Sequence, residues 1–315
     1  MKKLITTLLF SVPFIGFGQQ INKTVIVQSP IDNDTYLSTV MITKPTITQI
    51  NKKIKNKVVR VDTTIDAKGT GFFVFRVMPN NAIRVFLVTN KHMIGNWTLN
   101  DSLILNKNIS VNFYSKKDLF KNIIVPLKDD KGKISPNVHP YPNQIVDVAV
   151  VDVTSFLIDN SHTDLAVFAI PISNLISVSK LAAYNIYTGS QVLITGYPSG
   201  LKITSKSEPI VKSAIISSPL TDYIDVDMTI ENRNHKFITD NLNGKLILID
   251  GYIVGGNSGG PVFSPRDKII ADPKLNSGQY NFVIGIVSSV YTNTGVSLIY
   301  ASDYIKDLIY QYTNN

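Results

Sequence analysis

At 315 residues, 44% of them hydrophobic and 17% charged, the chain holds enough apolar material for one large or two modest packed domains, and intrinsic disorder is excluded. The absence of cysteine rules out a disulfide scaffold, a thiolate metal site, a cysteine nucleophile and a lipidated N-terminal cysteine, and four histidines leave little room for a histidine-rich metal centre. The formal charge of +8 does not mark a nucleic-acid binder: the lysines are scattered except in Asn51 to Lys57, a run with no interleaved aromatic residue that reads as a solvated surface segment.

The first residues carry an address. Met1-Lys2-Lys3 is basic and Leu4 to Phe17 is mostly apolar. Gly16 and Gly18 put small residues three and one positions ahead of a cut that would leave Gln19 first. This is the layout of a secretory signal peptide over residues 1-18, and its apolar run falls short of the roughly 20 residues of a spanning helix. The expectation is an exported chain, periplasmic or extracellular, with no stable membrane insertion once the signal is gone and a net charge of +6. Residues 19-56 read as an N-terminal arm or an extra strand.

Beyond residue 57 the periodicity is that of strands. Ile109, Val111 and Phe113 alternate with polar neighbours, as do Ile123, Val125 and Leu127. Val85 to Val88, Lys245 to Asp250 and Phe282 to Val287 are short β-branched runs bounded by turn residues. Lys128 to Asn143, with Gly132, Pro136, Pro140 and Pro142, predicts a long connection. After Ser302, a candidate N-cap, Ile305, Leu308, Ile309 and Tyr312 follow the i, i+3, i+4, i+7 spacing of an amphipathic helix.

The most informative stretch is Gly255-Gly256-Asn257-Ser258-Gly259-Gly260-Pro261. Glycines on both sides of a serine allow a tight turn on which backbone N–H groups converge, a setting for a nucleophile. A serine needs a base. His92 ends the strand-like run Val85 to Asn90 and can be presented by a rigid element, whereas His139, His162 and His235 lie in polar or proline-rich loop sequence. All four histidines precede Ser258, which excludes the Ser, acid, His order of α/β-hydrolases. The Asp, His, Ser order of subtilisins stays formally open through Asp62 or Asp66, but its alternation of helices and strands is missing. The His, Asp, Ser order of chymotrypsin-like enzymes fits. For the acid, Asp147 interrupts the apolar run Ile145 to Val151 and is costly to bury unless paired. Asp164, which opens Asp164-Leu165-Ala166-Val167-Phe168, is the second candidate and Asp152 the third.

Taken together, Gly69-Thr70-Gly71-Phe72-Phe73-Val74, Leu87 to His92, Asp147-Val148-Ala149-Val150 and Gly256 to Pro261 resemble the trypsin-like serine peptidases of the bacterial, HtrA-like kind. Leu193 to Gly200 and Gly285 to Ser289 are further matches, the latter resembling the substrate-side strand after the nucleophile. His139-Pro140-Tyr141-Pro142 ahead of Asp147 favours that aspartate over Asp164. The resemblance implies an all-β fold of two six-stranded antiparallel β-barrels with a C-terminal helix. The first barrel would take about 57-160, the second about 185-300 and the helix about 303-312. It further implies a Ser258, His92, Asp147 triad acting through an acyl-enzyme, an oxyanion hole from the Gly256 and Ser258 amides, polypeptide substrates, and no metal or cofactor. The 57 residues after Ser258 leave no room for a PDZ domain. By the same resemblance Tyr252 would lie at the base of the primary pocket, with Ile286, Val287 and Ser288 beside it, favouring an apolar or small side chain. Asn257 stands where zymogen-type relatives carry aspartate, so an ion pair with a freshly cut N-terminus is not expected to switch the site on. The competing reading is a catalytically idle fold of the same kind that binds peptides or proteins.

Overall fold

A computed structural model describes residues 31–54, 57–98, 102–115, 120–157, 167–201, 208–221, 224–231, 237–265, 281–290 and 294–314. The expected signal peptide, Asp164, His162 and His235 lie outside the described residues.

Chain order begins with a short helix α1 (Asn33–Leu37), followed by β1 (Thr39–Ile54), β2 (Lys57–Val77) and β3 (Ile83–Thr89). A single turn α2 (Lys91–Ile94) leads into β4 (Gly95–Trp97), β5 (Leu103–Leu105), β6 (Asn108–Phe113), β7 (Lys121–Pro126), β8 (Val138–Pro140), β9 (Ala149–Asp152) and β10 (Ile170–Pro171). These form one curled sheet in the order β7-β6-β1-β2-β3-β9-β8, with β10 beside β2 and a separate β4-β5 hairpin. The strands β11 (Gln191–Gly196), β12 (Ile210–Ile216), β13 (Ile224–Glu231), β14 (Phe237–Gly244), β15 (Leu246–Asp250), β16 (Pro261–Phe263), β17 (Val283–Val290) and β18 (Val296–Ala301) follow, then helix α3 (Ser302–Asn314). Six of them close a barrel in the order β11-β12-β15-β18-β17-β16, and β13 and β14 pair as a hairpin of their own.

The all-β architecture and terminal helix match the expectation, and so does closure of the second barrel. The first unit differs: it is an eight-stranded curled sheet in place of a six-stranded barrel. The reason lies in the segment that the sequence left as an arm or extra strand. β1 pairs with β2 from Thr39↔Phe72 to Ile54↔Lys57, and its other edge takes β6 from Met41↔Asn112 to Thr43↔Ser110, so it sits inside the sheet.

The apolar runs are continuous because both faces of the inner strands are covered. Phe73 and Leu87 point into the core of the first unit with Ile42, Val111 and Phe113. Their neighbours Phe72, Val74, Phe86 and Val88 point the other way, against Leu193, Phe263, Val283 and Ile286 of the barrel. Ile305, Leu308 and Ile309 of α3 close the same central cluster. Each such buried side chain contributes about 2 kcal/mol of burial. The predicted cap Ser302 is the first residue of α3, and its hydroxyl donates to the Ile176 carbonyl instead.

The leading segment ties the halves together. Asp32 caps α1 through Thr35 N–H at 2.7 Å, and its own amide donates to Asn281 Oδ1 on the barrel side at 3.0 Å. The chain then enters the first sheet as β1.

Candidate active site

The two units meet where the predicted residues cluster. β3 ends in Thr89, and the α2 turn that follows presents His92 with its side chain 31% exposed. Asp147 lies just ahead of β9, and its side chain is 15% exposed. The His92 ring Nδ1 donates to Asp147 Oδ2 at 2.6 Å and the His92 amide donates to Asp147 Oδ1 at 3.1 Å. Ser288 Oγ adds a third bond to Asp147 Oδ2 at 2.9 Å, and Asn90 Nδ2 holds the Asp147 carbonyl at 2.7 Å. Burial pushes the Asp147 carboxyl up, but the His92 imidazole and the bonds from His92 and Ser288 outweigh it and leave the group below the usual carboxylate range. An ionised Asp147 fixes the proton on Nδ1 and leaves the Nε2 lone pair directed elsewhere.

Ser258 comes from the other unit, on the turn between β15 and β16. Gly259, at φ +86°, has no space for a Cβ, which would fall 1.9 Å from the Thr70 carbonyl. Gly256, at φ +95°, would place one 2.4 Å from the Tyr197 carbonyl. Thr70 of β2 grips this turn: its amide donates to the Ser258 carbonyl at 2.9 Å and its hydroxyl to the Gly256 carbonyl at 2.6 Å. The same hydroxyl accepts the Tyr197 amide at 3.0 Å, and the Thr70 carbonyl accepts Thr89 Oγ1 at 2.8 Å. Among the described residues, the Gly256 and Ser258 amides donate to no backbone carbonyl. The Ser258 hydroxyl donates to the Ser288 carbonyl at 3.2 Å.

His92, Gly256 and Ser258 border one cavity of about 350 Å³, walled further by Lys44, Lys68 and Trp97. The sequence reading missed Lys44. Its buried ammonium donates to the His92 carbonyl, to the Gly95 carbonyl at 2.7 Å and to Asn96 Oδ1 at 3.0 Å. Lys91 is also buried, with Nζ on the Asn143 carbonyl at 2.5 Å, and burial lowers it to about 8 against the attraction of Asp147.

Other predicted residues fall elsewhere. Tyr252 is 81% exposed, with Lys212 Nζ 5.2 Å from its ring centroid, so it does not form the floor of a walled pocket. Ile286 and Val287 point into hydrophobic cores, which leaves only their backbone to a bound chain. Ser288 turns its hydroxyl to Asp147, not to a pocket. Asp152 accepts from Arg84 and from Thr154, and the His139 ring lies 3.9 Å from that of Tyr312. Among the described residues no group of three or more His, Asp or Glu could hold a metal ion, and no helix is long and apolar enough to cross a membrane.

Residues 69–271 match the family model described as a trypsin-like peptidase domain. The chain belongs to that family. The matched stretch of this trypsin-like chain begins at the Gly69-Thr70 motif and includes His92, Asp147 and Ser258. The chain is 30% identical over 184 residues to a probable periplasmic serine endoprotease, DegP-like, of Rickettsia prowazekii (strain Madrid E). That alignment covers 56% of this chain and 31% of the relative, so the chain spans about a third of the relative's length. Similar solved structures include an inactive form of the Rv3671c protease of M. tuberculosis, at 15% identity, TM-score 0.40 and coverage of 88% and 90% of the two chains. Deg5 is similar at 15% identity and TM-score 0.40, covering 89% and 90%.

Proposed function

We propose that the protein is an exported serine endopeptidase that hydrolyses peptide bonds through Ser258, His92 and Asp147. The observation that carries the reading is the 2.6 Å bond between His92 Nδ1 and Asp147 in the wall of the cavity that also holds Ser258. In this reading the Ser258 hydroxyl leaves the Ser288 carbonyl and turns to His92 Nε2. Ser258 Oγ attacks the scissile carbonyl while Nε2 takes its proton. The Gly256 and Ser258 amides receive the oxyanion, and Nε2 returns the proton to the leaving amine. Asp147 stays ionised and stabilises the imidazolium. Water then repeats the sequence on the acyl-enzyme. Export, by the reading of residues 1-18, places the substrates among periplasmic or extracellular polypeptides.

Fluorophosphonate labelling of the chain from Gln19 tests this, with Ser258→Ala, His92→Ala and Asp147→Asn alongside. Labelling of the wild type that vanishes in Ser258→Ala and His92→Ala is the expected result. A folded wild type that never labels overturns the reading in favour of a peptide-binding module.

A further inference from the structure

The cavity beside the proposed triad has a direction. In a peptidase the base must hand its proton to the leaving amine, so the segment after the scissile bond lies on the side of the histidine. Besides His92 and Ser258 the cavity is lined by Met93, Asn96 and Trp97, which follow His92 in the chain, and by Lys44 and Lys68. Among the described residues none of 286–290 lines it.

The walls are basic. Among the described residues no Asp or Glu lines the cavity. Lys44 lines it, with its ammonium on the His92 and Gly95 carbonyls. Lys68 is exposed at the rim and makes no ion pair among the described residues. Its stem packs against Gly200, where an added Cβ would meet Lys68 Cδ at 2.5 Å. The Thr46 hydroxyl in the same wall has no hydrogen-bond partner among the described residues. A groove lined by one sign of charge concentrates the opposite sign.

We propose that this cavity receives the leaving-group side of the substrate and that Lys68 selects a carboxylate in its first two residues. The proposal rests on the peptidase reading and adds to it a substrate class, polypeptides acidic just after the cut.

The test begins with one bond that the protein cleaves in denatured casein, located by mass spectrometry. Synthetic peptides keep the residues before that bond and carry Asp, Ala or Lys at the two positions after it. With the wild type, kcat/KM for the Asp peptide should exceed that for the Lys peptide by about fivefold, the upper range for a partly exposed ion pair. About 0.5 M salt should compress the ratio. In Lys68→Glu the order should reverse, and in Lys68→Ala it should flatten. Lys128→Glu, the same charge change at a residue that does not line the cavity, should retain it. Because each ratio is taken within one variant, a general loss of activity does not disturb it. Equal rates for the three peptides, or a ratio untouched by Lys68→Glu, overturn the proposal while fluorophosphonate labelling upholds the peptidase reading. Neither labelling nor cleavage overturns both.

Discussion

The ammonium of Lys44 donates to the backbone carbonyl of His92, so a strand from the front of the chain braces the turn that carries His92. The same ammonium satisfies the Gly95 carbonyl and Asn96 Oδ1. Lys44→Met would keep the apolar stem and leave buried acceptors unpaired. We expect a loss of about 2–4 kcal/mol in urea unfolding. A midpoint equal to the wild type's would show that the brace carries no load.

Thr70 joins the halves at the nucleophile turn. Thr70→Val preserves shape but removes the bond to the Gly256 carbonyl and leaves the Tyr197 amide without its acceptor. The expected result is about 2 kcal/mol less stability. The labelling rate of Ser258 should fall about tenfold, equivalent to about 1.4 kcal/mol in the barrier. Stability that falls with no change in labelling would limit Thr70 to a structural role.

Gly259 has neither the space nor the backbone angle for a side chain. Gly259→Ala must move the Thr70 strand or flip the turn, at about 3 kcal/mol or more. Thermal unfolding monitored by circular dichroism reads this directly. A variant that melts with the wild type would mean that the turn is not held as described.

Asp147 gives a pH signature of known sign. Its carboxyl sits below its unfolded value, so its contribution to stability is complete above that value and is lost as pH falls through the folded one. The stability gap between wild type and Asp147→Asn, measured in urea, should therefore be full near about pH 7 and shrink below about pH 4. A gap that stays constant over that range would contradict an ionised, His92-bonded Asp147.

Lys91 gives a slope of the same sign in a more alkaline window. Burial brings it to about 8, below its unfolded value of 10.5, so between those pH values the unfolded chain binds more protons. Stability gains with rising pH in that window from this group alone. Lys91→Met should remove the gain, visible as a smaller rise in urea midpoint from about pH 7 to about pH 10. An identical rise in both proteins would assign it to other groups.

Much of the core was legible because alternation and short β-branched runs report burial directly. Ile109, Val111 and Phe113 are buried at alternate positions of β6, and Ile305, Leu308 and Ile309 form the inner stripe of α3. The meeting of His92 with Asp147, and of both with the Ser258 turn, followed from motifs in a known order. The role of Lys44 did not, since a lysine in a polar stretch looks solvated until the turn it braces is in place. Ser288 was set beside the pocket by resemblance, and its hydroxyl bond to Asp147 joins residues 141 apart in the chain, which no local pattern reports. Tyr252 was placed by counting back from the serine, and a count does not say whether a ring points into the protein or away from it.

The path of residues 32 to 54, from the Asn281 contact on the barrel into the interior of the first sheet, restricts how the front of the chain can be handled. An enzyme that trims from this end loosens the barrel contact at Asp32, and past Thr39 it unravels an interior strand and takes Lys44 with it. A degradative exopeptidase that passes Thr39 would disarm the proposed site, more than 200 residues ahead of Ser258 in the chain, without touching any residue that does the chemistry.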